Sequence, residues 1–442
     1  MSRRADASRR RWLQAAGAAG LLQLAGCAGT PSAAPSSSQA SALSRARVLV
    51  VGGGWGGATA ARYLRLFSDG QLPVTLVEPD AALVSCPQSN LVLAGHRTLA
   101  DLTFGYDALE RLGVRRVRDR VVALDFDRRE ARLASGGRLG WDKLILSPGV
   151  ELMRERVDGL QAAHAAGRVL QAWKAGPETA ALRAQLEAMP NGGVYVLTVP
   201  LAPFRCPPGP YERACLVADY FKRMKPKSKV LVFDANPEPV SKAALFKAVW
   251  ANQYAGIVDY RPNFKAVGVS ADGREVEFEL GERERADVLN VLPDMRAGDI
   301  AAQSGLAKAN GRWCEVDFLD FSAKDLPKSA GVHLLGDALL AAPLMPKSAH
   351  MANAHAKVAA AAVVASLAGW ELNPAPVLTN TCYSWVDGSH AIHVASVHGW
   401  NAPQRTFTVV PGGSGVSVGP SEAEAHYAAG WIESMRGEAV GR

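Results

Sequence analysis

Several apolar stretches along this chain are short unbroken runs, and two of them lead into a longer stretch of helical period. That is the pattern of strands buried on both faces and flanked by helices. In RVLVVGGGWGGATAARYLRLF, Arg47–Phe67, it predicts a strand, a glycine turn and an amphipathic helix. Pro73–Val77 predicts a second strand, ending in Glu78, and WDKLILSPG at Trp141–Gly149 a hydrophobic strand closed by a small-residue turn. A second block repeats the theme, with a helix around 177–189, a strand at Val194–Val199 and another at Lys229–Phe233. Residues 348–368 predict a long helix with Ser348 as its cap. From about Asn373 onward the pattern changes to short strands and one amphipathic helix, Glu422–Met435.

The 442 residues suffice for two or three domains, and 48% hydrophobic with 21% charged residues is an ordinary globular composition. The formal charge of +7 is concentrated at the start. The first 27 residues hold five arginines and one aspartate, and without them the charge is +3. No basic stripe interleaved with aromatics follows, so nucleic acid is set aside as a partner. SRRRWLQ, Ser8–Gln14, resembles a twin-arginine export signal with Trp12 in the aromatic place, followed by a small apolar run, Ala15–Gly26. That run is short of the ~20 residues a bilayer requires. LAGC at Leu24–Cys27 resembles a lipoprotein box, which would lipidate Cys27 and tether the chain to a membrane. The other reading is a signal peptide cut later, in the Ser/Ala/Pro-rich linker Ala28–Ser44. Either way the expected compartment is the periplasm, where disulfides persist.

Within Arg47–Phe67, Gly52, Gly54 and Gly57 fit G-x-G-x-x-G, whose glycines permit the tight turn, the approach of pyrophosphate and close helix–strand packing. Glu78 stands where a carboxylate accepts from adenosine ribose hydroxyls. WDKLILSPG, with Gly149 in its turn, and GVHLLGDA, Gly331–Ala338, resemble two motifs of disulfide-reductase-like flavoproteins. In the second of these motifs Gly336 precedes an aspartate that binds a ribityl hydroxyl, which makes Asp337 the candidate here. The first nucleotide is therefore expected to be FAD. The N-terminus of the helix after Ser348, preceded by Lys347, would present positive charge to the flavin. Otherwise Lys347 is a surface lysine.

The second block lacks a phosphate cradle. After Val194–Val199 comes PLAPFRCPPGPYER, and its prolines offer no N–H donors and fix their own backbone angles. NAD(P)H is not expected to bind there. The chain has six cysteines, Cys27, Cys86, Cys206, Cys215, Cys314 and Cys382, with no C-x-x-C and hence no haem attachment or zinc knuckle of its own. Cys215 and Cys314 are expected to be packed thiols, and His390, His393 and His398 to be structural, so no metal is assigned.

RCPPGPYERA, with AWKAG at Ala172–Gly176, MPKS at Met345–Ser348 and NTCYS at Asn380–Ser384, resembles the flavoprotein subunit of flavocytochrome c sulfide dehydrogenase. The likeness runs from Arg47 to about Ser384. It implies that Cys206 and Cys382 pair as a redox-active disulfide beside the flavin. It also implies covalent attachment of FAD to Cys86 in SCPQSN, although the family pattern there reads closer to Y-T-C-Y-L-S-N. Glu212, six residues after Cys206, is the candidate proton handler or else a partner for Arg205 or Arg213. The implied activity is oxidation of sulfide, with electrons passing to a c-type cytochrome subunit that carries the haem. A sulfide:quinone oxidoreductase, or a redox partner of a periplasmic thiosulfate-oxidising complex without turnover of its own, are the alternatives. An NAD(P)H-linked disulfide reductase ranks last.

The fold expected is α/β, with two dinucleotide-binding-like domains (Rossmann-type, glutathione-reductase-like) and a C-terminal α+β interface domain. Residues 1–44 form the signal and linker, 45–155 and 286–370 the FAD domain, 156–285 the second domain and 371–442 the interface domain.

Overall fold

A computed structural model of the chain describes residues 42–441. The expected export signal and Cys27 lie outside the described residues. The first sheet has seven strands, in the order Val316–Asp317, Ser322–Ala323, Val332–Leu334, Lys143–Leu146, Val48–Val51, Val74–Val77 and Val114–Val117. From Val332–Leu334 onward neighbours are parallel, with Val48 opposite both Val74 and Lys143. All four residues of Val48–Val51 are buried, as a strand covered on both faces requires. The glycine turn leads into the helix Trp55–Phe67, which packs against the long helix Ala349–Ala368. That long helix is apolar enough to pass for a membrane span, yet most of it, Ala356, Ala360 and Val363 included, is buried in the core.

The second sheet is wholly parallel, in the order Val258–Pro262, Lys229–Asp234, Val194–Val199, Val288–Val291. Its helix Gly209–Met224 connects Val194–Val199 to Lys229–Asp234. The two sheets are joined where Val150–Leu152 runs antiparallel to Met295–Ala297. One expected boundary moves. Residues 286–291 were assigned to the FAD domain, but Val288–Val291 is the fourth strand of the second sheet, with Leu289 and Val291 fully buried in it. The chain crosses back only at Met295–Ala297.

The C-terminal region differs from expectation in scale. Its strands, Val377–Trp385, Ala391–Asn401 and Thr406–Val416, have 9, 11 and 11 residues, and its helix continues to Ala439. Asp387 makes the first turn possible by accepting from the backbone N–H groups of Ser389 and His390. The histidines read as structural sit in side-chain pairs. His393 meets Glu424 at 2.7 Å, His390 meets Asp387 and His398 meets Ser396.

Two glycines are fixed by contact. A Cβ on Gly57 would lie 1.8 Å from the Gly52 carbonyl oxygen, and Gly52 itself has φ +96 with the Ser147 carbonyl where its Cβ would be. Helix and strand meet at a distance only glycine permits. Gly57→Ala is therefore expected to cost about 1–3 kcal/mol of stability, read as a lower urea midpoint. An unchanged midpoint would mean that the turn relaxes freely.

Candidate functional site

A cleft of about 1320 Å³ opens where the two sheets and the C-terminal region converge. Gly54 and Gly149 line it, and a Cβ on either would meet no atom within 4 Å. Gly336 and Asp337 follow the strand Val332–Leu334 into the same space. Glu78 stands behind the turn, where its Oε2 accepts from Gly53 N at 2.5 Å and Tyr106 donates to Gly53 O at 2.9 Å. Burial raises the Glu78 carboxyl above its ordinary range.

One atom identifies what the cleft is built for. Asp337 Oδ1 is sealed from solvent yet has no hydrogen-bond partner among the described residues. A buried acceptor without a donor is costly. Burial pushes the Asp337 carboxyl upward, against the opposing pull of Arg205 and Lys347. The indole N–H groups of Trp55, Trp173 and Trp385, all on the cleft wall, are likewise unpartnered. An elongated ligand with hydroxyls and ring acceptors fits these groups, and FAD has both. Gly54, Gly149 and Asp337 are the residues that would hold it.

Three cysteines reach the cleft from three parts of the chain. Cys86 follows the short strand Ala82–Val84, with Ala175 N 3.5 Å from its Sγ. Cys206 precedes the helix Gly209–Met224 and holds φ +60, an uncommon conformation for a residue with a side chain. Its N–H donates to the Lys347 carbonyl at 2.8 Å, and its own carbonyl accepts from Gly209 N. Cys382 lies on the strand Val377–Trp385, beside Asn380 at 3.5 Å. Cys206 and Cys382 are close enough for the charge of one to raise the pKa of the other. Both are free thiols, half-buried, as is Cys86.

Glu212 lies at the floor. Its Oε1 accepts from Trp385 N at 2.9 Å and its Oε2 from Asn90 Nδ2 at 2.8 Å. It forms no ion pair with Arg205 or Arg213. Arg213 is instead spent on Asn90, Asn290 and the carbonyls of Gln171 and Ala172. Burial raises the Glu212 pKa, and the two accepted hydrogen bonds partly offset that. Cys206 is also raised, first by burial and then by the Glu212 charge.

Sequence reasoning overlooked Lys242. Buried, with φ +54 at the start of the helix Ala243–Gln253, it sends its ammonium to the Cys382 carbonyl at 2.9 Å and Ser384 Oγ at 2.8 Å. Burial lowers its pKa to about 8, against the pull of Cys382 and Glu212. Burial above all raises the Cys382 thiol, and Lys242 in return lowers it. Nothing in SKAALFK marks this lysine, because its partners lie about 140 residues away.

Lys347 corrects an expectation. It is neither at the surface nor turned to the cleft. Its ammonium donates to the carbonyls of Asp337 and Leu339 and sits 3.6 Å from the centre of the Trp313 ring, with its pKa lowered by burial to about 7. Carbonyl dipoles and an aromatic face satisfy the charge away from the cleft. What MPKS presents there is Ser348, whose Oγ accepts from Met351 N and donates to Asn380 Oδ1 at 2.6 Å. The residues expected to form an interface also build the site, since Cys382, Tyr383, Ser384, Trp385 and Trp431 line it. Cys215 and Cys314 are buried, and Cys215 accepts from Trp250 Nε1 at 3.2 Å.

Family profiles match residues 179–293 (sulfide dehydrogenase (flavocytochrome c) flavoprotein chain, central), 374–439 (flavocytochrome c sulphide dehydrogenase, flavin-binding) and 46–178 (pyridine nucleotide-disulphide oxidoreductase). The sulfide dehydrogenase (flavocytochrome c) flavoprotein chain of Chlorobaculum thiosulfatiphilum is 61% identical over 46 residues, 10% of this chain and 94% of that sequence. The mitochondrial sulfide:quinone oxidoreductase of Mus musculus is 26% identical over 311 residues; the match spans 64% of this chain and 64% of the mouse protein. Among solved structures, the sulfide:quinone oxidoreductase of Aquifex aeolicus superposes with a TM-score of 0.72 at 16% identity, over 90% of this chain and 93% of that one. At that identity the last similarity is one of fold.

Two outcomes follow from the site. Gly54→Ala is expected to fold normally but to lose flavin on gel filtration, since its Cβ enters open cleft. In the reduced protein, Lys242→Met is expected to slow alkylation of Cys382 near pH 7, by about tenfold for each unit its pKa rises. The gap should close as pH passes about 8, where Lys242 loses its own charge. Peptide mass spectrometry reads both proteins, and equal rates at pH 7 would remove Lys242 from the thiol's electrostatics.

Proposed function

As the chain belongs to the family of flavocytochrome c sulfide dehydrogenase flavoprotein chains, we propose that it oxidises sulfide at the Cys206–Cys382 pair and passes the electrons through FAD to a c-type cytochrome. The observation that carries this reading is the convergence of both thiols on one cleft with the bare glycines and the unpartnered Asp337 carboxylate. FAD, when bound, supplies a two-electron acceptor that can release electrons singly.

The chemistry of the cysteines balances. Loss of two electrons and two protons converts the two thiols to a disulfide. Hydrosulfide attacks one sulfur, which breaks the sulfur–sulfur bond. One cysteine becomes a persulfide and the other leaves as a thiolate with the electron pair. Lys242 holds positive charge beside Cys382 and stabilises an anion there. Glu212, whose pKa burial raises, is the carboxyl beside the pair and serves as the proton handler. A further sulfide or thiol then removes the persulfide sulfur as polysulfide. Cys86 is the point of covalent attachment on this reading, since it lines the same cleft. The twin-arginine pattern supports a periplasmic site of action. A quinone acceptor is the second reading, favoured by the aromatic wall of Tyr383, Trp385 and Trp431.

An anaerobic titration of the purified flavoprotein tests the reading. Sulfide is expected to bleach the flavin stoichiometrically and NADH to leave it oxidised. Cys206→Ser and Cys382→Ser should each lose the sulfide response, while Glu212→Gln should slow it by roughly 10²-fold. Reoxidation by cytochrome c rather than by a short-chain quinone separates the two acceptors. Bleaching by NADH, or a full sulfide response without either cysteine, would overturn the proposal. With Cys86→Ala, flavin should separate from protein precipitated in acid. Retention would place the link elsewhere.

A further inference from the structure

A second cavity, of about 270 Å³, lies away from the flavin cleft at the carboxyl end of the second sheet. Thr198 and Val199 end one strand there, Ala235 follows the next, and Leu292–Asp294 follow Val288–Val291. The sheet order makes this a topological switch point. From Val194–Val199 the chain winds to Lys229–Asp234 on one side, and it returns to Val288–Val291 on the other. Crevices at such points are where open parallel sheets take ligands.

The cavity is built with an unanswered polar group. Thr198 is 1% exposed and lines the cavity, and its Oγ1 has no hydrogen-bond partner among the described residues. Around it stand three cations, Arg156, Lys265 and Arg312, against a single acid, Asp294. Arg156 meets Asp294 at 3.2 Å, and Lys265 meets Glu279 at 2.9 Å in a pair more than half exposed. Such exposed pairs hold their charges weakly. Arg312 donates to two carbonyls, those of Met295 and Pro203, lies over the Trp313 ring and feels the charge of Asp294, but meets no carboxylate within salt-bridge distance, so an anion can still pair with it. The remaining wall is apolar, with Val157, Val199 and Leu292.

A dinucleotide does not suit this place. The helix N-terminus that would hold its pyrophosphate, at Gly209, lines the flavin cleft instead. Asp234, where a ribose-binding acid would stand, is consumed by Tyr211, Tyr260 and Asn236. We infer that the cavity is a binding site for a small organic phosphate, its phosphate held by Arg156, Lys265, Arg312 and the Thr198 hydroxyl and its apolar body by Val157, Val199 and Leu292. The loop from Pro200 leads directly to Cys206, and Asn236 fixes its start by bonding Pro200 O and Ala202 N. An occupant therefore sits at the root of the cysteine loop.

AMP is the probe, titrated by calorimetry into the FAD-loaded full chain, with inorganic phosphate as the comparison. Saturable binding of AMP is expected, with inorganic phosphate weaker by tenfold or more. Thr198→Val should weaken AMP by about fivefold, the value of one hydrogen bond. The doubly substituted Arg156→Ala, Lys265→Ala chain, altered only at exposed positions, should weaken it at least tenfold while sulfide bleaching of the flavin stays as in the parent. No binding of AMP overturns the inference, as does binding that all three substitutions leave unchanged. Inorganic phosphate binding as tightly as AMP overturns the organic body. Failure of sulfide to bleach the parent protein would count against the proposed function alone, since AMP binding is read without turnover.

Discussion

The site depends on one short turn, Lys347–Ser348, that touches both cysteine segments at once. The Lys347 carbonyl takes the Cys206 N–H, and Ser348 holds Asn380, two residues from Cys382. Cys206 comes from the second sheet's crossover and Cys382 from the C-terminal sheet, so neither element positions the other unaided. The turn is itself the start of the buried helix Ala349–Ala368, which packs on the glycine-turn helix. A shift of the flavin-side core would thus move both thiols together. The positive φ of Cys206 is sustained by these constraints, since an isolated loop would relax it.

Electrostatics then divides the cleft in two. Beside the cysteines, Glu212 and Lys242 are both buried, and each moves the other's titration toward its charged form while burial moves it away. Neither is locked, and groups with pKa values drawn toward neutrality can exchange protons during turnover. Beyond the cysteines, Lys347 is neutralised by carbonyls and Trp313, and Asp337 stays open. The balance keeps positive charge near Cys382 and leaves the Asp337 carboxyl without a donor.

How much of this was legible in sequence follows from the range of the interactions. Val48–Val51, Val194–Val199 and the capped helix at Ser348 are local patterns, and their strands and helix fall where periodicity and capping chemistry place them. Gly52 and Gly57 are legible for the same reason, since turn and close packing lie within six residues. The direction of a long side chain is another matter. Lys347 could be placed beside the flavin by sequence order, but Trp313 and the Leu339 carbonyl decide where its ammonium goes. Lys242 is silent in sequence because its meaning comes from a strand far along the chain. The boundary at 286 erred likewise: a four-residue strand belongs to whichever sheet has room for it, and pairing with Tyr195–Thr198 decided that.

The loss of the glycine phosphate turn in the second sheet and the presence of Cys206 there are one structural fact. A helix N-terminus that binds pyrophosphate must be bare and open, so that backbone N–H groups face the ligand. Here Pro207, Pro208 and Pro210 remove donors, and the first turn from Gly209 to Arg213 is buried. The Trp173 ring and the Cys206 sulfur leave Gly209 no room for a Cβ, at 2.8 and 2.9 Å. The same rigid prolines that remove N–H donors fix the thiol's position at the cleft. The fold keeps the parallel sheet as a scaffold and gives its crossover to a sulfur. A reductant small enough to enter the cleft beside Cys382 then suits the site better than a nicotinamide.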